Sequence, residues 1–137
     1  MMECDVLVVG AGPAGSGAAR ASALAGVKTL MVDKKKEIGT PVQCGEVIGL
    51  DLVKRSGMRI PANAIVSRQG FTRFVLGREV TIDNSEPYWR GVTVERKIFD
   101  KHLAFRAASA GAAVQADTRL LSVKTDGDIV KSCLLSH

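Results

Sequence analysis

The sequence predicts an α/β fold in which helices cover a parallel β-sheet and an antiparallel β excursion is inserted into the core. Three observations predict it. A β-branched apolar run ends in a glycine-rich turn, an alanine-rich helical stretch follows it, and a second apolar run comes next, all within about 30 residues. Short alternating runs of apolar and polar residues then occupy residues 64–95. The length of 137 residues limits the chain to one domain.

The first elements form a βαβ unit. Asp5–Val9 predicts a strand, because an apolar run without alternation is typical of a parallel strand that is covered on both faces. Residues 14–25 contain six alanines and predict a helix, with Gly26 as its C-terminal cap. Thr29–Val32 predicts the second strand, and Asp33 closes it.

The middle of the chain predicts the antiparallel excursion. A short helix is predicted over Leu50–Arg55, and Gly57 ends it. Three alternating runs predict the strands that follow: Phe71–Leu76, Glu79–Asp83 and Gly91–Glu95.

The last third returns to the α/β pattern. Lys97–Ala110 has helical spacing, and Gly111 follows it as the C′ residue. Ala113–Ala116 predicts a third parallel strand. Leu120–Thr125, the Asp126-Gly127-Asp128 turn and the residues after it predict the first hairpin of a meander.

Composition and charge exclude several classes of protein. Lys and Arg outnumber Asp and Glu by 19 to 14, but the basic residues are scattered and aromatics make up only 4%, so a solvated surface is favoured and no nucleic-acid partner is predicted. The N-terminus lacks the cations of a secretory signal and no apolar stretch could span a bilayer, which predicts a cytoplasmic protein. Three cysteines without a CxxC pair predict neither a disulfide framework nor a metal site.

The GxGxxG spacing of Gly10, Gly12 and Gly15 indicates a cofactor-binding turn. It follows a predicted strand and opens a predicted helix, and Asp33 lies 18 residues beyond Gly15. Gly10 permits the tight turn, Gly12 leaves room for a pyrophosphate, and Gly15 lets the helix approach the strand. The helix N-terminus offers N–H groups to phosphates, and Asp33 can accept hydrogen bonds from an adenosine ribose. The pattern favours a dinucleotide site of the Rossmann type, for FAD or NAD. The alternative, a turn that merely closes the helix onto the sheet, is less favoured.

Two further sets of residues carry a resemblance to known families. The string from Asp5 to Gly15, which contains Gly-Pro-Ala-Gly, resembles the FAD-binding fingerprint of the glutathione-reductase and p-hydroxybenzoate-hydroxylase flavoproteins. Pro41–Glu46 (Pro-Val-Gln-Cys-Gly-Glu), with Val94–Arg96 and Phe99–Asp100, resembles the geranylgeranyl reductase family more narrowly. The resemblance implies a Rossmann-like FAD-binding fold and an FAD-dependent oxidoreductase that reduces C=C bonds of prenyl chains in membrane lipid biosynthesis. It also implies a prenyl lipid substrate, an external electron donor and peripheral contact with the membrane.

The resemblance assigns cofactor contacts residue by residue. Ala14 and Gly15 would contact the FAD pyrophosphate, and Asp33 the adenosine ribose. Cys44, Gly45 and Val47 would lie along the flavin. Arg96 would contact the cofactor from the start of the second long helix, and Leu120 would offer its backbone to the adenine. Two residues depart from the family pattern: Asp33 is one methylene shorter than the usual glutamate, and Val47 replaces a smaller residue.

Cys44 and Arg96 each have an alternative interpretation. Cys44 stands in a loop expected at the carboxyl edge of the sheet, where ligands of open α/β sheets bind. We therefore expect it near the flavin, with a catalytic role as the further hypothesis and an inert small hydrophobe as the alternative. Arg96 places a cation at a helix N-terminus against the helix dipole, which favours a phosphate contact over a surface arginine.

The extent of the chain defines the remaining hypotheses. Flavoproteins of this class use a second motif around a downstream Gly-Asp pair and a separate substrate domain, and no counterpart follows the third predicted strand. Residues 1–137 are therefore predicted to form one FAD-binding domain that is C-terminally incomplete, lacks the substrate domain and is inactive alone. The alternatives are another flavoprotein of the same fold, such as an aromatic hydroxylase, a monooxygenase or a quinone-linked dehydrogenase, and a non-catalytic dinucleotide-binding fragment.

Overall fold

The computed structural model describes residues 2–69, 72–76, 78–82 and 90–137. Within these residues the chain forms ten strands and three α-helices, in this order: β1 (Val6–Val9), α1 (Pro13–Leu24), β2 (Thr29–Val32), β3 (Val47–Gly49), α2 (Leu50–Ser56), β4 (Ile65–Gln69), β5 (Thr72–Leu76), β6 (Arg78–Ile82), β7 (Gly91–Val94), α3 (Arg96–Ser109), β8 (Ala113–Gln115), β9 (Arg119–Asp126) and β10 (Ile129–Ser136). They divide into two compact units, Met1–Val42 with Asp100–His137, and Gln43–Phe99. None of the described helices combines the length and apolarity that crossing a bilayer requires.

A parallel sheet organises the first unit. Its strand order is β1-β2-β8, so β2 is central and is buried at all four positions. The three predicted parallel strands are confirmed within one residue at each end. The expectation that β1 is covered on both faces is met in part: Val6–Val8 are half-buried, whereas the last residue, Val9, is 55% exposed. Within the described residues β1 is an edge strand that pairs with β2.

Small side chains form the core of the first unit. The buried cluster draws on the glycine turn, both long helices and the sheet: Ala11, Ala19, Met31, Ala104, Ala107 and Ala112. Val8, Ala23, Ile38 and Val114 pack against it while partly exposed. Alanines on the packed faces of α1 and α3 keep the helix backbones near the strands, because no long side chain separates them.

Glycines end both long helices as predicted. Gly26 has a φ of +78°, and the Val27 N–H donates to the Ser22 carbonyl at 3.2 Å, which is the long bond of a Schellman motif. Gly111 follows α3 in the same position. Both caps return the chain directly into a strand region, so α1 leads to β2 and α3 leads to β8.

The second unit contains the antiparallel excursion. β3, β7 and β4 form one antiparallel sheet, and β5 and β6 form a hairpin. β5 and β6 agree with the predicted runs, whose residues Phe71 and Asp83 lie outside the described part of the chain. β3 was not predicted, because a three-residue strand is too short to display alternation. Helix α2 ends at Gly57, as predicted.

β9 and β10 form the predicted hairpin. The two strands pair antiparallel around a turn at Gly127 and Asp128. Leu120 lies near the start of β9, opposite Leu135, and is half-buried. Most side chains of the hairpin are exposed.

Gly15 marks the closest approach of α1 to β1. A Cβ atom at Gly15 would lie 1.8 Å from the Gly10 carbonyl oxygen and 3.4 Å from Val8 Cγ1. No side chain fits at such a distance. The helix can therefore start where it does only with glycine at this position.

A pair of alanine substitutions separates this contact from ordinary helix propensity. Gly15→Ala should lower the free energy of unfolding by roughly 1–3 kcal/mol, because α1 has to move away from the strand. Gly17→Ala, in the same helix with no described atom within 4 Å of its Cβ position, should raise it by about 0.5–1 kcal/mol. Urea unfolding followed by circular dichroism measures both changes. Equal effects of the two substitutions would contradict the close approach.

Candidate functional site

The glycine turn presents the N-terminus of α1 to solvent. Gly10 has a φ of +104°, and its N–H donates to the Val32 carbonyl at 2.7 Å, which joins the ends of β1 and β2. Gly12 is the N-cap residue and is extended, and no described side chain caps the helix. The N–H groups of Ala14 and Gly15 lie in the first turn, where a helix provides no acceptor of its own. This end of α1 therefore carries partial positive charge and free hydrogen-bonding capacity.

The space beside Gly12 is open. A Cβ atom at Gly12 would have no atom of the described residues within 4 Å, in contrast to the contact at Gly15. Packing within the described chain therefore does not require glycine at position 12. A glycine at this place leaves the backbone accessible to a ligand, and the adjacent N–H groups suit an anion. The turn fits the pyrophosphate of a dinucleotide such as FAD.

Asp33 fixes the glycine turn with its carboxylate. Its Oδ2 accepts from the Ala11 N–H at 2.7 Å, and its Oδ1 accepts from the Lys35 N–H at 2.8 Å. Its backbone bonds to Gln115 and Thr118, which places it at the end of the sheet. Each carboxylate oxygen can accept a second hydrogen bond, so ribose hydroxyls remain possible donors. The aspartate is long enough to reach the turn.

Ser16 is a site residue that the sequence reasoning missed. It is 1% exposed, and its hydroxyl donates to the Ala11 carbonyl at 3.3 Å. Ala11 is also 1% exposed, and Asp33 accepts from its N–H. Both polar backbone groups of Ala11 are therefore satisfied by side chains, one from the helix and one from Asp33, the residue directly after β2. A serine inside the first turn after GxGxxG was the available signal.

The loop that contains Cys44 lies in the second unit. Cys44 is exposed, and its position near the flavin, its catalytic role and the alternative of an inert small hydrophobe stay predictions. The Glu46 N–H donates to its sulfur at 3.4 Å. Gly45 has no described atom near its Cβ position, and Val47 is 46% exposed at the start of β3. These residues form an accessible edge of the unit.

Glu46 connects this loop to α3 and was not assigned a role from the sequence. Its carbonyl accepts from the Val94 N–H at 2.8 Å, and its Oε1 accepts from the Arg96 N–H at 3.3 Å. The Glu95 carboxylate accepts from the Lys97 N–H at 3.3 Å. The positive end of the α3 dipole thus faces two carboxylates. The phosphate contact of Arg96 stays a prediction, but the helix dipole no longer supports it.

The predicted site residues fall into two groups. Gly10, Gly12, Ala14, Gly15 and Asp33 surround one turn in the first unit. Cys44, Gly45, Val47 and Arg96 lie in the second unit, joined through Glu46. Leu120 lies in the first unit, two residues beyond Thr118, whose N–H donates to the Asp33 carbonyl. Within the described residues no group of His, Cys, Asp and Glu is suited to hold a metal ion.

The chain is similar to flavoproteins. The family described as FAD binding domain matches residues 3–137. The digeranylgeranylglycerophospholipid reductase of Methanocaldococcus jannaschii is 43% identical over 126 residues, which cover 90% of this chain and 31% of the relative. Digeranylgeranylglycerophospholipid reductase 3 of Methanosphaera stadtmanae is 39% identical over 136 residues, covering 92% and 33%.

A solved structure extends this similarity to the fold. The geranylgeranyl bacteriochlorophyll reductase-like protein from Thermoplasma acidophilum has a TM-score of 0.88 and 36% identity, over 98% of this chain and 35% of that chain. The predicted α/β fold and the family resemblance are confirmed. The chain spans about a third of the length of the curated relatives it matches.

Substitution of Asp33 tests how the turn is held. Asp33→Ala should lower the free energy of unfolding by about 1–3 kcal/mol, because two part-buried N–H groups lose their acceptor. Asp5→Ala is the control: Asp5 accepts one exposed N–H, from Lys28, which water can replace, so stability should hardly change. Thermal unfolding of both variants gives the comparison. A stable Asp33→Ala variant would show that the turn keeps its geometry without the carboxylate.

Proposed function

The chain belongs to the FAD binding domain family, whose cofactor is FAD, and from this premise we propose that it is the cofactor-binding part of a reductase that saturates C=C bonds of prenyl chains in membrane lipids. One observation carries the proposal. Two first-turn N–H groups of α1 flank the open space at Gly12, in a chain that is 43% identical to a digeranylgeranylglycerophospholipid reductase.

The glycine turn binds the pyrophosphate in this proposal. The N–H groups of Ala14 and Gly15 donate to phosphate oxygens, with Gly10 and Gly12 shaping the backbone around them. The first turn of α1 contains no acidic residue, so no side chain of that turn repels the phosphates. The site is formed before the ligand arrives, because Asp33 and Ser16 already hold Ala11.

Asp33 and Leu120 bind the adenosine end of FAD in this proposal. The carboxylate of Asp33 accepts hydrogen bonds from the ribose, while its charge disfavours an additional phosphate at that position. Its two bonds to backbone N–H groups fix the orientation of the carboxylate. Leu120 offers backbone groups to the adenine.

Four further residues belong to the flavin side in this proposal. Cys44, Gly45 and Val47 line the flavin, and Arg96 contacts the cofactor from the start of α3. When bound, FAD that an external donor has reduced would supply hydride to one carbon of the alkene, and a proton would go to the other carbon. The exposed thiol of Cys44 is available at the reacting centre, with the Glu46 N–H on its sulfur.

The substrate class and the surroundings follow from the same proposal. The substrate is a lipid with geranylgeranyl chains, and the electron donor is a separate reductant. A substrate of this kind resides in the bilayer, so the protein works in the cytoplasm at the membrane surface.

Substitution of Gly12 tests the cofactor site. Gly12→Val should abolish visible flavin absorbance in the purified chain, because its side chain occupies the space beside the first-turn N–H groups. The backbone at Gly12 is extended, a conformation that valine adopts readily, so the fold should persist. Gly17→Val is the matched control, since its Cβ position is also open, and it should retain FAD. Flavin retained by Gly12→Val would argue against this site.

The reductase activity is tested in a protein of the relatives' full length that contains this sequence, because residues 1–137 alone are expected to be inactive. FAD-loaded protein, reduced anaerobically with dithionite, is incubated with digeranylgeranyl glycerophospholipid vesicles, and mass spectrometry detects the gain of two hydrogens per double bond. Saturation in the wild type and its loss in Gly12→Val support the proposal. NADPH-driven oxygen uptake with a phenol, without lipid saturation, would instead assign an aromatic hydroxylase.

A further inference from the structure

We propose that Glu46 is a positioning residue of the cofactor site, which holds the loop before β3 (Cys44–Glu46) against the first turn of α3. The inference rests on the proposed function, because that function places this loop and Arg96 beside FAD. It goes further, since Glu46 itself is assigned no contact with the cofactor.

Two hydrogen bonds from one residue make the connection. The Glu46 carbonyl accepts from the Val94 N–H at 2.8 Å, at the end of β7. The Glu46 carboxylate accepts from the Arg96 N–H at 3.3 Å, at the first residue of α3. The loop is therefore hydrogen-bonded both to the last residue of β7 and to the first residue of α3. A shift of the loop would move the start of the helix, and the reverse also holds.

The backbone of Glu46 indicates that its side chain is needed. Its φ of +61° lies in the left-handed region, where a residue with a Cβ atom is strained and glycine is favoured. Glycine at this position would relieve the strain but would leave the Arg96 N–H without its carboxylate. Strained backbone kept together with a specific side-chain contact is typical of functional sites.

The charge of Glu46 suits the helix that it caps. The first turn of α3 contains Arg96 and Lys97 and no acidic residue, so no carboxylate of that turn balances the positive end of the helix. Glu46 supplies a negative charge from 50 residues away in sequence. Glu95 supplies a second one through the Lys97 N–H, from the residue directly before the helix and without involving the loop.

This difference provides a matched control. Glu46→Ala removes the carboxylate but keeps the strained φ, whereas Glu95→Ala removes a cap from the same helix turn and leaves the loop attached. Glu46→Gln keeps an oxygen acceptor for the Arg96 N–H. Amide hydrogen exchange at Arg96 in the FAD-free chain reports the connection, and FAD titration followed by flavin fluorescence reports the cofactor site.

Glu46→Ala should accelerate exchange at Arg96. It should also weaken FAD binding by about tenfold, because binding then has to re-order a loop whose connection is worth about as much as one helix cap. Glu46→Gln should restore both readouts to near wild type. Glu95→Ala should leave the exchange at Arg96 and the FAD affinity almost unchanged. Glu46→Asp, whose carboxylate is too short to reach Arg96, should behave like the alanine variant and serves as the second test if that variant does not fold.

Three results would overturn the proposal. Equal losses of FAD affinity in Glu46→Ala and Glu95→Ala would reduce Glu46 to a general helix cap. Unchanged exchange at Arg96 in Glu46→Ala would show that the Glu46 carboxylate does not hold the loop to α3. A wild-type chain that does not bind FAD would overturn the proposed function, and with it the cofactor role of Glu46, while exchange at Arg96 would still report whether the loop is tied to α3.

Discussion

The contact between the backbone of α1 at Gly15 and the carbonyl of Gly10 is the constraint on which the described first unit depends. A distance of 1.8 Å from a Cβ position to that oxygen leaves room for a hydrogen atom only. The helix therefore starts directly above the end of β1, and its first N–H groups lie at the carboxyl edge of the parallel sheet. If the helix lay further from the strand, the same glycine sequence would not fix the first-turn N–H groups in one position toward a phosphate. The N–H groups that we propose for the pyrophosphate are thus positioned by backbone packing, without the help of a ligand.

Carboxylates then fix the backbone around the candidate site. Asp33 accepts the N–H groups of Ala11 and Lys35, Glu46 accepts that of Arg96, and Glu95 accepts that of Lys97. At a turn or a helix start, regular secondary structure provides no acceptor for these N–H groups, and in each case a carboxylate side chain provides one. Hydrogen bonds to charged acceptors are stronger than neutral ones, which makes these turns stiffer than their glycine content suggests. In the proposed function the same carboxylate of Asp33 fixes the turn and receives the ribose.

Local pattern was sufficient to predict much of this fold. β1, α1 and β2 follow from an uninterrupted apolar run, an alanine-rich stretch and a Schellman glycine, because each of these acts within a few residues. The connection from Glu46 to Arg96 was beyond prediction, since 50 residues separate the two and nothing in the spacing indicates that they meet. The same connection changes the argument for Arg96: helix-dipole reasoning from sequence assumed an unbalanced positive end, which Glu46 and Glu95 balance. Ser16 was missed although it directly follows the glycine motif, because its hydrogen bond to the Ala11 carbonyl becomes visible only in the packed turn. The exposure of Val9 was missed because an apolar run does not reveal which of its side chains the neighbouring elements cover.

Nuclear magnetic resonance titration of the ¹⁵N-labelled chain tests the central claim, that the glycine turn is the pyrophosphate site of FAD. Inorganic pyrophosphate should shift the amide signals of Gly12, Ala14 and Gly15 and little else, because it reaches only the N-terminus of α1. FAD should shift the same three signals and, in addition, those of Lys35 and Ala11, whose N–H groups bond to the carboxylate that meets the ribose. FAD that binds while the signals of Gly12, Ala14 and Gly15 stay in place would contradict the claim.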